Sequence, residues 1–281
     1  MNPRFVADFN SQLTQASRSA LLELARALKP YSGALVLVGG WVPYLLIENH
    51  LRPKNPFTHV GSIDIDLVVD PDRIGEDEYR TIVETIADIG WKVIEGKRFS
   101  FLRTVPCADG ASRDIQVDFL SPEMEGPGKK HRHRLIQPDL QARTMRGAEL
   151  ALTHQEVRRL SGTLPGGAET TVEFLMLDVV GCLGTKGIAL GERYKHKDAY
   201  DIVSVLDDYG NGISELARLV KPFANEPLVG EALRVVAEKF RNERSEGPIW
   251  YSEFLGGDGA VRATNTQRAF QLAAEFLRLL Q

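Results

Sequence analysis

Cysteine is nearly absent. Cys107 and Cys182 are the only two in 281 residues, and they make neither a CxxC pair nor a metal-finger spacing. That scarcity speaks against a disulfide scaffold or a cysteine metal cage and fits a reducing compartment. Long apolar runs are missing too: no stretch approaches the roughly 18 to 20 apolar residues of a membrane span. The opening Met1-Asn2-Pro3-Arg4 has no apolar run of signal-peptide length. The expectation is a cytoplasmic protein with no membrane partner. There is no excess of positive charge either. With 34 Lys+Arg against 38 Asp+Glu the formal net charge is −4, which argues against a wholesale polyanion binder. Internal repeats and low-complexity tracts do not occur.

What is present is ordinary globular composition, 43% hydrophobic and 26% charged. The length suffices for one large domain or two smaller ones with real cores. Charge is unevenly spread. Lys92 to Arg159 carries 13 Lys/Arg against 9 Asp/Glu, with a local cluster at Lys129, Lys130, His131, Arg132, His133 and Arg134. Such a patch can bind a polyanion on an acidic protein, because the local field decides. Surface solubility would explain many of these residues equally well.

Hydrophobic spacing predicts a helix over 13–28, a buried strand over 34–38 and, after Gly39-Gly40, a helix over 41–47 with Pro43 in its first turn. Strands are expected over 63–69, 91–94, 99–105 and 115–120, with a helix over 76–89 and a turn at Asp109-Gly110. Residues 121–141, rich in Pro, Gly and charge, fit no element. Beyond Leu164-Pro165-Gly166-Gly167 the pattern becomes helical, over 174–190, 199–209, 213–220, 226–240 and 264–280. The fold class expected is α/β (α+β): a sheet domain over 1–150, then a mainly helical C-terminal domain over 165–281, with the boundary between about Thr144 and Gly167.

Gly61-Ser62-Ile63-Asp64-Ile65-Asp66-Leu67 is the most informative segment. On a strand, residues i and i+2 share a face, so Asp64 and Asp66 would project together. Two such carboxylates repel each other unless a cation lies between them. Mg²⁺ takes one or two carboxylates, water and phosphate oxygens, so the pair suits a nucleotide site. Asp118, in a second apolar strand, would complete a two-metal site. A solvated sheet face is the plain alternative. Gly39 and Gly40, opening a helix after a strand, would let backbone N–H groups approach a phosphate, although Gly-Gly often only makes a turn. The Ser62 hydroxyl would either meet a phosphate or cap its own loop.

These residues together resemble the DNA polymerase β-type nucleotidyltransferase superfamily. A second block, Lys186-x₆-Arg193-x-Lys195-x-Lys197-Asp198-x-Tyr200-Asp201-Ile202, is similar to the signature of AbiEii-like nucleotidyltransferases. Those are toxins of abortive-infection and type IV toxin–antitoxin systems, MenT-like toxins among them. The resemblance spans most of 35–206. Trp41 after Gly-Gly, a longer loop over 52–59, and Lys197 where arginine is usual depart from the pattern.

The resemblance places Ser62 and Asp64 in the first motif, Lys186 in the helical lysine motif and Asp198 in the last. It implies a polymerase β-like sheet domain and NMP transfer from an NTP to an acceptor hydroxyl. That acceptor would be RNA, the tRNA 3′ end above all, and a cognate antitoxin would be a partner. Catalysis would fall to Asp64, Asp66, Asp118, Lys186 and Asp198. Mg²⁺ would sit on Asp64, Asp66 and Asp118, and the nucleotide on Gly39, Gly40, Ser62, Lys186 and Arg193. RNA would meet Lys129, Lys130, Arg132 and Arg134. A solvated, ion-paired helix face is the plain reading of 193–201. The rival functions are nucleotidylation of a protein or small molecule, and a non-catalytic binding module.

Overall fold

The computed structural model describes residues 5–9, 11–50, 57–74, 80–107, 109–123 and 132–281. They fall into two units. One, here the sheet unit, takes 10–41 and 62–177; the other, the helical unit, takes 1–9, 42–61 and 178–281.

The sheet unit opens with helix α1 (Ser11–Ala27), whose Ala16, Ala20, Leu21 and Leu24 are buried at helical spacing. β1 (Leu35–Val38) is buried at every position and ends at Gly39. α2 (Trp41–His50) follows, with Trp41 donating its indole N–H to Ser17 Oγ at 3.1 Å. Next come β2 (Ile65–Val69), the short α3 (Ile82–Ala87), β3 (Lys92–Ile94), β4 (Lys97–Pro106) and β5 (Ser112–Ser121). β6 (His133–Gln137), β7 (Leu140–Thr144), α4 (Leu150–Thr153), β8 (Gln155–Thr163) and β9 (Glu169–Leu177) complete it.

The described strands form one mixed sheet in the order β3-β4-β5-β2-β1-β9-β8, with β7 added on β5 and β6 on β7. At its centre β1 and β2 run antiparallel, whereas β2 runs parallel to β5. Alternation sorts the faces. Ile65, Leu67, Val117 and Phe119 share one, where Phe101 meets Phe119 edge to face at 5.7 Å.

The helical unit contains the rest of α2 and α5 (Val179–Glu192), α6 (His196–Asp208), α7 (Ile213–Val220), α8 (Pro227–Lys239), α9 (Glu246–Leu255) and α10 (Gly259–Leu280). Gly187 sets the approach of α5 to α8: a Cβ there would lie 2.7 Å from that of Ala232. Any side chain would push the two helices apart.

Mixed α/β architecture with a helical region is as expected, but several boundaries move. Leu164-Pro165-Gly166-Gly167 is not a passage between regions. It is the turn of the β8–β9 hairpin, closed by Leu164 N–H to Ala168 O at 2.9 Å, so the sheet runs on to Leu177. The helix expected over 174–190 begins only at Val179. Phe174 to Leu177 extend the ladder, and Asp178 caps α5 by accepting from Gly181 N–H at 2.8 Å. The helix expected over 76–89 shrinks to Ile82–Ala87, started by a capping box between Thr81 and Glu84; residues 75–79 lie outside the described ones. Residues 133–144, unassigned by pattern, pair as β6 and β7. α9 was not expected at all.

Candidate functional site

In the sheet unit, Asp66 and Asp118 are direct cross-strand partners on β2 and β5. In-register neighbours project to one face, and the row continues outward from both: Val38 pairs with Asp66, and Ser100 with Asp118. The two carboxylates therefore stand about one strand spacing apart, ~4.8 Å at the backbone. Both residues are half-buried.

Asp64 is displaced from the expected arrangement. It precedes β2 in a bend rather than lying on the strand. The β1 ladder to β2 ends at Val38 and Asp66, because the chain turns away at Gly39, and the β5 ladder starts at Ile65. Ile63 and Asp64 thus precede the ladders of β2. Across the sheet, Asp66 and Asp118 are in register, and Asp64 stands two residues before Asp66 at the entry to β2.

Gly39 explains itself at this site. Its φ is +75°, and a Cβ there would fall 2.1 Å from Asp66 Oδ2. Glycine is needed for both the turn and the room the carboxylate occupies. Gly40 completes the turn into α2. Ser62, buried, donates its hydroxyl to the Asp64 carbonyl at 3.1 Å, so here it braces its own loop.

Asp118 is held firmly. Its Oδ1 accepts from Ser100 Oγ and, at 2.8 Å, from Gln116 Nε2. Its Oδ2 lies 4.0 Å from the guanidinium of Arg143, a half-exposed residue on β7. No three His, Cys, Asp or Glu side chains among the described residues are gathered as a metal cage. The Asp66–Asp118 donor set still suits Mg²⁺, which draws one or two carboxylates from a protein and the remainder from water and phosphate. The missing Cβ at Gly39 leaves space at the first of them.

The helical unit holds a second cluster, buried rather than the solvated face that was the plain alternative for 193–201. Asp201, fully buried, accepts from Lys186 Nζ at 2.6 Å, Lys197 Nζ at 2.7 Å and His59 Nε2 at 3.2 Å. Asp198 accepts from Lys186 at 3.2 Å and from both Nε and a terminal nitrogen of Arg193 at 2.7 and 2.8 Å. Gly61 N–H donates to His59 Nδ1 at 3.1 Å, so the ring proton sits on Nε2 and points at Asp201.

Burial works against every charge here, and proximity decides which survive. Burial penalises the Asp201 carboxylate, yet Lys186 and Lys197 hold it well below the usual range. Burial also pulls on Lys186, but Asp201 and Asp198 outweigh it and keep the amine above the ordinary lysine value. His59 loses that contest: burial takes it down to about 4, so it is neutral.

Of the expected RNA-contacting residues, Arg132 is exposed and Arg134 half-buried on β6, whereas Lys129 and Lys130 lie outside the described residues. No helix among the described residues is long and apolar enough to cross a membrane. Ser100, Gln116 and His59 were not foreseen. Gln116 was legible in principle, two residues before Asp118 on the same strand; Ser100 depends on cross-strand register, which sequence does not display.

No protein-family model and no curated protein matches the chain. Among solved structures it is similar to an antigenic nucleotidyltransferase-like protein from Paracoccidioides brasiliensis, at 14% identity and a TM-score of 0.44 over 88% of this chain and 97% of that one. It is also similar to JHP933 from Helicobacter pylori, at 12% identity and a TM-score of 0.39 over 95% and 93%.

Proposed function

We propose that this chain is a Mg²⁺-dependent nucleotidyltransferase that moves an NMP from an NTP to an acceptor hydroxyl. One observation carries the reading: Asp66 and Asp118 stand side by side on parallel central strands, with glycine at position 39 where any Cβ would displace the Asp66 carboxylate.

In this reading Asp66 and Asp118 would hold the metal, joined by Asp64 from the preceding bend. Bound there, Mg²⁺ would neutralise triphosphate charge and ease deprotonation of the acceptor. The chain's own part is positioning. The Gly39-Gly40 turn brings backbone N–H groups at the start of α2 to the phosphates. The acceptor hydroxyl, aligned beside the carboxylate pair, gives its proton to solvent as its oxygen bonds to the α-phosphorus. The bond from that phosphorus to the bridging oxygen breaks, and pyrophosphate leaves with the electron pair.

The likeness of the Lys186–Ile202 block to AbiEii-like toxins supports the finer reading. The acceptor is then RNA, most simply the tRNA 3′ end, and a cognate antitoxin restrains the enzyme. Lys186 and Arg193 serve the nucleotide, and Asp198, which already grips both, orients them. Arg132 and Arg134, with Lys129 and Lys130, meet the RNA backbone.

Incubation with total RNA and each α-labelled NTP, with Mg²⁺ or with EDTA, tests this. Label in RNA and pyrophosphate release, both lost with EDTA, are expected. Label in protein or a small product moves the acceptor to the alternative class. Absence of pyrophosphate release with every NTP makes the chain a binding module and ends the enzymatic reading.

A further inference from the structure

Asp118 differs from an ordinary half-buried carboxylate in how unevenly its two oxygens are used. Oδ1 accepts from two side chains, Ser100 Oγ from the neighbouring strand and Gln116 Nε2 from two residues back on its own. Those two also face each other, with Gln116 Nε2 3.5 Å from Ser100 Oγ. The result is a closed triangle across β4 and β5. Ser100 is 1% exposed, so no water competes freely for its hydroxyl. Oδ2 stands outside the triangle, with the half-exposed Arg143 at 4.0 Å.

A carboxylate rotates readily about its Cβ–Cγ bond, and a bidentate ligand uses both oxygens alike. With Oδ1 committed to two donors, rotation would break both hydrogen bonds, and bidentate ligation would strip that oxygen's partners. We propose that Ser100 and Gln116 are positioning residues that lock Asp118 Oδ1 and so present Oδ2 alone to a divalent cation. The inference rests on the metal-dependent reading above. It assigns two side chains on adjacent strands to ligand geometry, and neither touches the ion or the substrate. Outer partners of this kind are worth typically 10–100-fold in metal affinity.

Mn²⁺ binding to the full-length protein, followed by electron paramagnetic resonance and competed by Mg²⁺, tests this without any turnover. Ser100→Ala and Gln116→Met should each weaken Mn²⁺ about tenfold or more while the melting temperature without metal stays near wild type. Ser100→Thr, which keeps the hydroxyl on a strand, should recover most of the affinity. Gln116→Met carries the test if Ser100→Ala folds poorly. Wild-type Mn²⁺ affinity in Gln116→Met or in a folded Ser100→Ala overturns the inference and leaves the proposed function standing. A wild-type protein that binds no Mn²⁺ displaceable by Mg²⁺ removes both.

Discussion

Asp66 and Asp118 in the sheet unit and Asp198 and Asp201 in the helical unit are the same chemical group, close together in pairs, in opposite electrostatic settings. The helical pair is buried among Lys186, Lys197, Arg193 and His59, so each negative charge is answered inside its own unit. The sheet pair is half-buried, and the Arg143 guanidinium stands 4.0 Å from Asp118, beyond hydrogen-bond reach. A buried carboxylate surrounded by three donors has nothing left to offer a ligand. A half-open pair retains that capacity, at the cost of mutual repulsion. In the proposed reading the half-buried sheet pair takes the metal, and the buried pair holds its own unit together.

Substitution should therefore do opposite things in the two places. Asp66→Ala should abolish transfer, because losing a metal ligand removes several kcal/mol of transition-state stabilisation. Its melting temperature should hold or rise, since repulsion with Asp118 is relieved. Label incorporation beside a thermal melt reads both, and Mg²⁺-dependent transfer surviving in Asp66→Ala would end the carboxylate assignment. Asp201→Ala should instead cost about 3–5 kcal/mol of folding stability, the usual toll for stranding buried partners, here Lys186 and Lys197. A denaturant titration showing less than about 1 kcal/mol lost would mean that water reaches this cluster.

Acid should distinguish the clusters next. His59 is neutral in the fold with its value lowered from 6.5 to about 4, whereas the unfolded chain binds a proton near 6.5. Between those values the unfolded state carries more protons, so stability from this group is complete above about pH 6.5 and drains away as pH falls toward 4. The loss is on the order of 3 kcal/mol. Asp201 adds to it lower down, because its depressed value makes its contribution present above 3.8 and lost as pH drops further. His59→Gln should flatten the slope between pH 6.5 and 4. A wild-type stability curve already flat over that window would place His59 in contact with solvent.

Much of the sheet was readable from alternation and turns. β1, β5 and the Gly39-Gly40 turn lie where the pattern put them, because a short β-branched run ended by glycine has few other uses. The site was less so. Asp-x-Asp suggested two residues on one strand, whereas β2 begins at Ile65 and leaves Asp64 in the bend before it, because the ladder to β1 ends at Asp66. In the helical unit the dense run of charges allows two readings, active-site roles for Lys186 and Asp198 or a solvated face. Its burial comes from His59, 142 residues from Asp201, and from Lys186, an element away. Long-range partners of this kind leave no local trace, while Asp178 before α5 was a start signal that a longer apolar run obscured.

The smallest effect concerns the acceptor, and it separates the carboxylate pair from the basic strand beside it. Arg132 and Arg134 flank an exposed His133 ring that stacks on Phe99 at 5.0 Å, a surface whose charge suits phosphates and whose rings suit unstacked bases. If single-stranded RNA crosses it, each arginine that meets a phosphate contributes about 0.7 to the slope of log affinity against log salt. Arg132→Gln with Arg134→Gln should then lower that slope by about 1.4 if both make contact. RNA affinity at low salt should fall several-fold, while NTP affinity stays near wild type, because in this reading the metal is held by Asp66 and Asp118 and the nucleotide by Gly39, Gly40, Lys186 and Arg193. Filter binding of a labelled tRNA across a salt series measures the first, and nucleotide titration the second. An unchanged slope would take RNA off β6. A loss of NTP affinity equal to the loss for RNA would merge two surfaces that the comparison keeps apart.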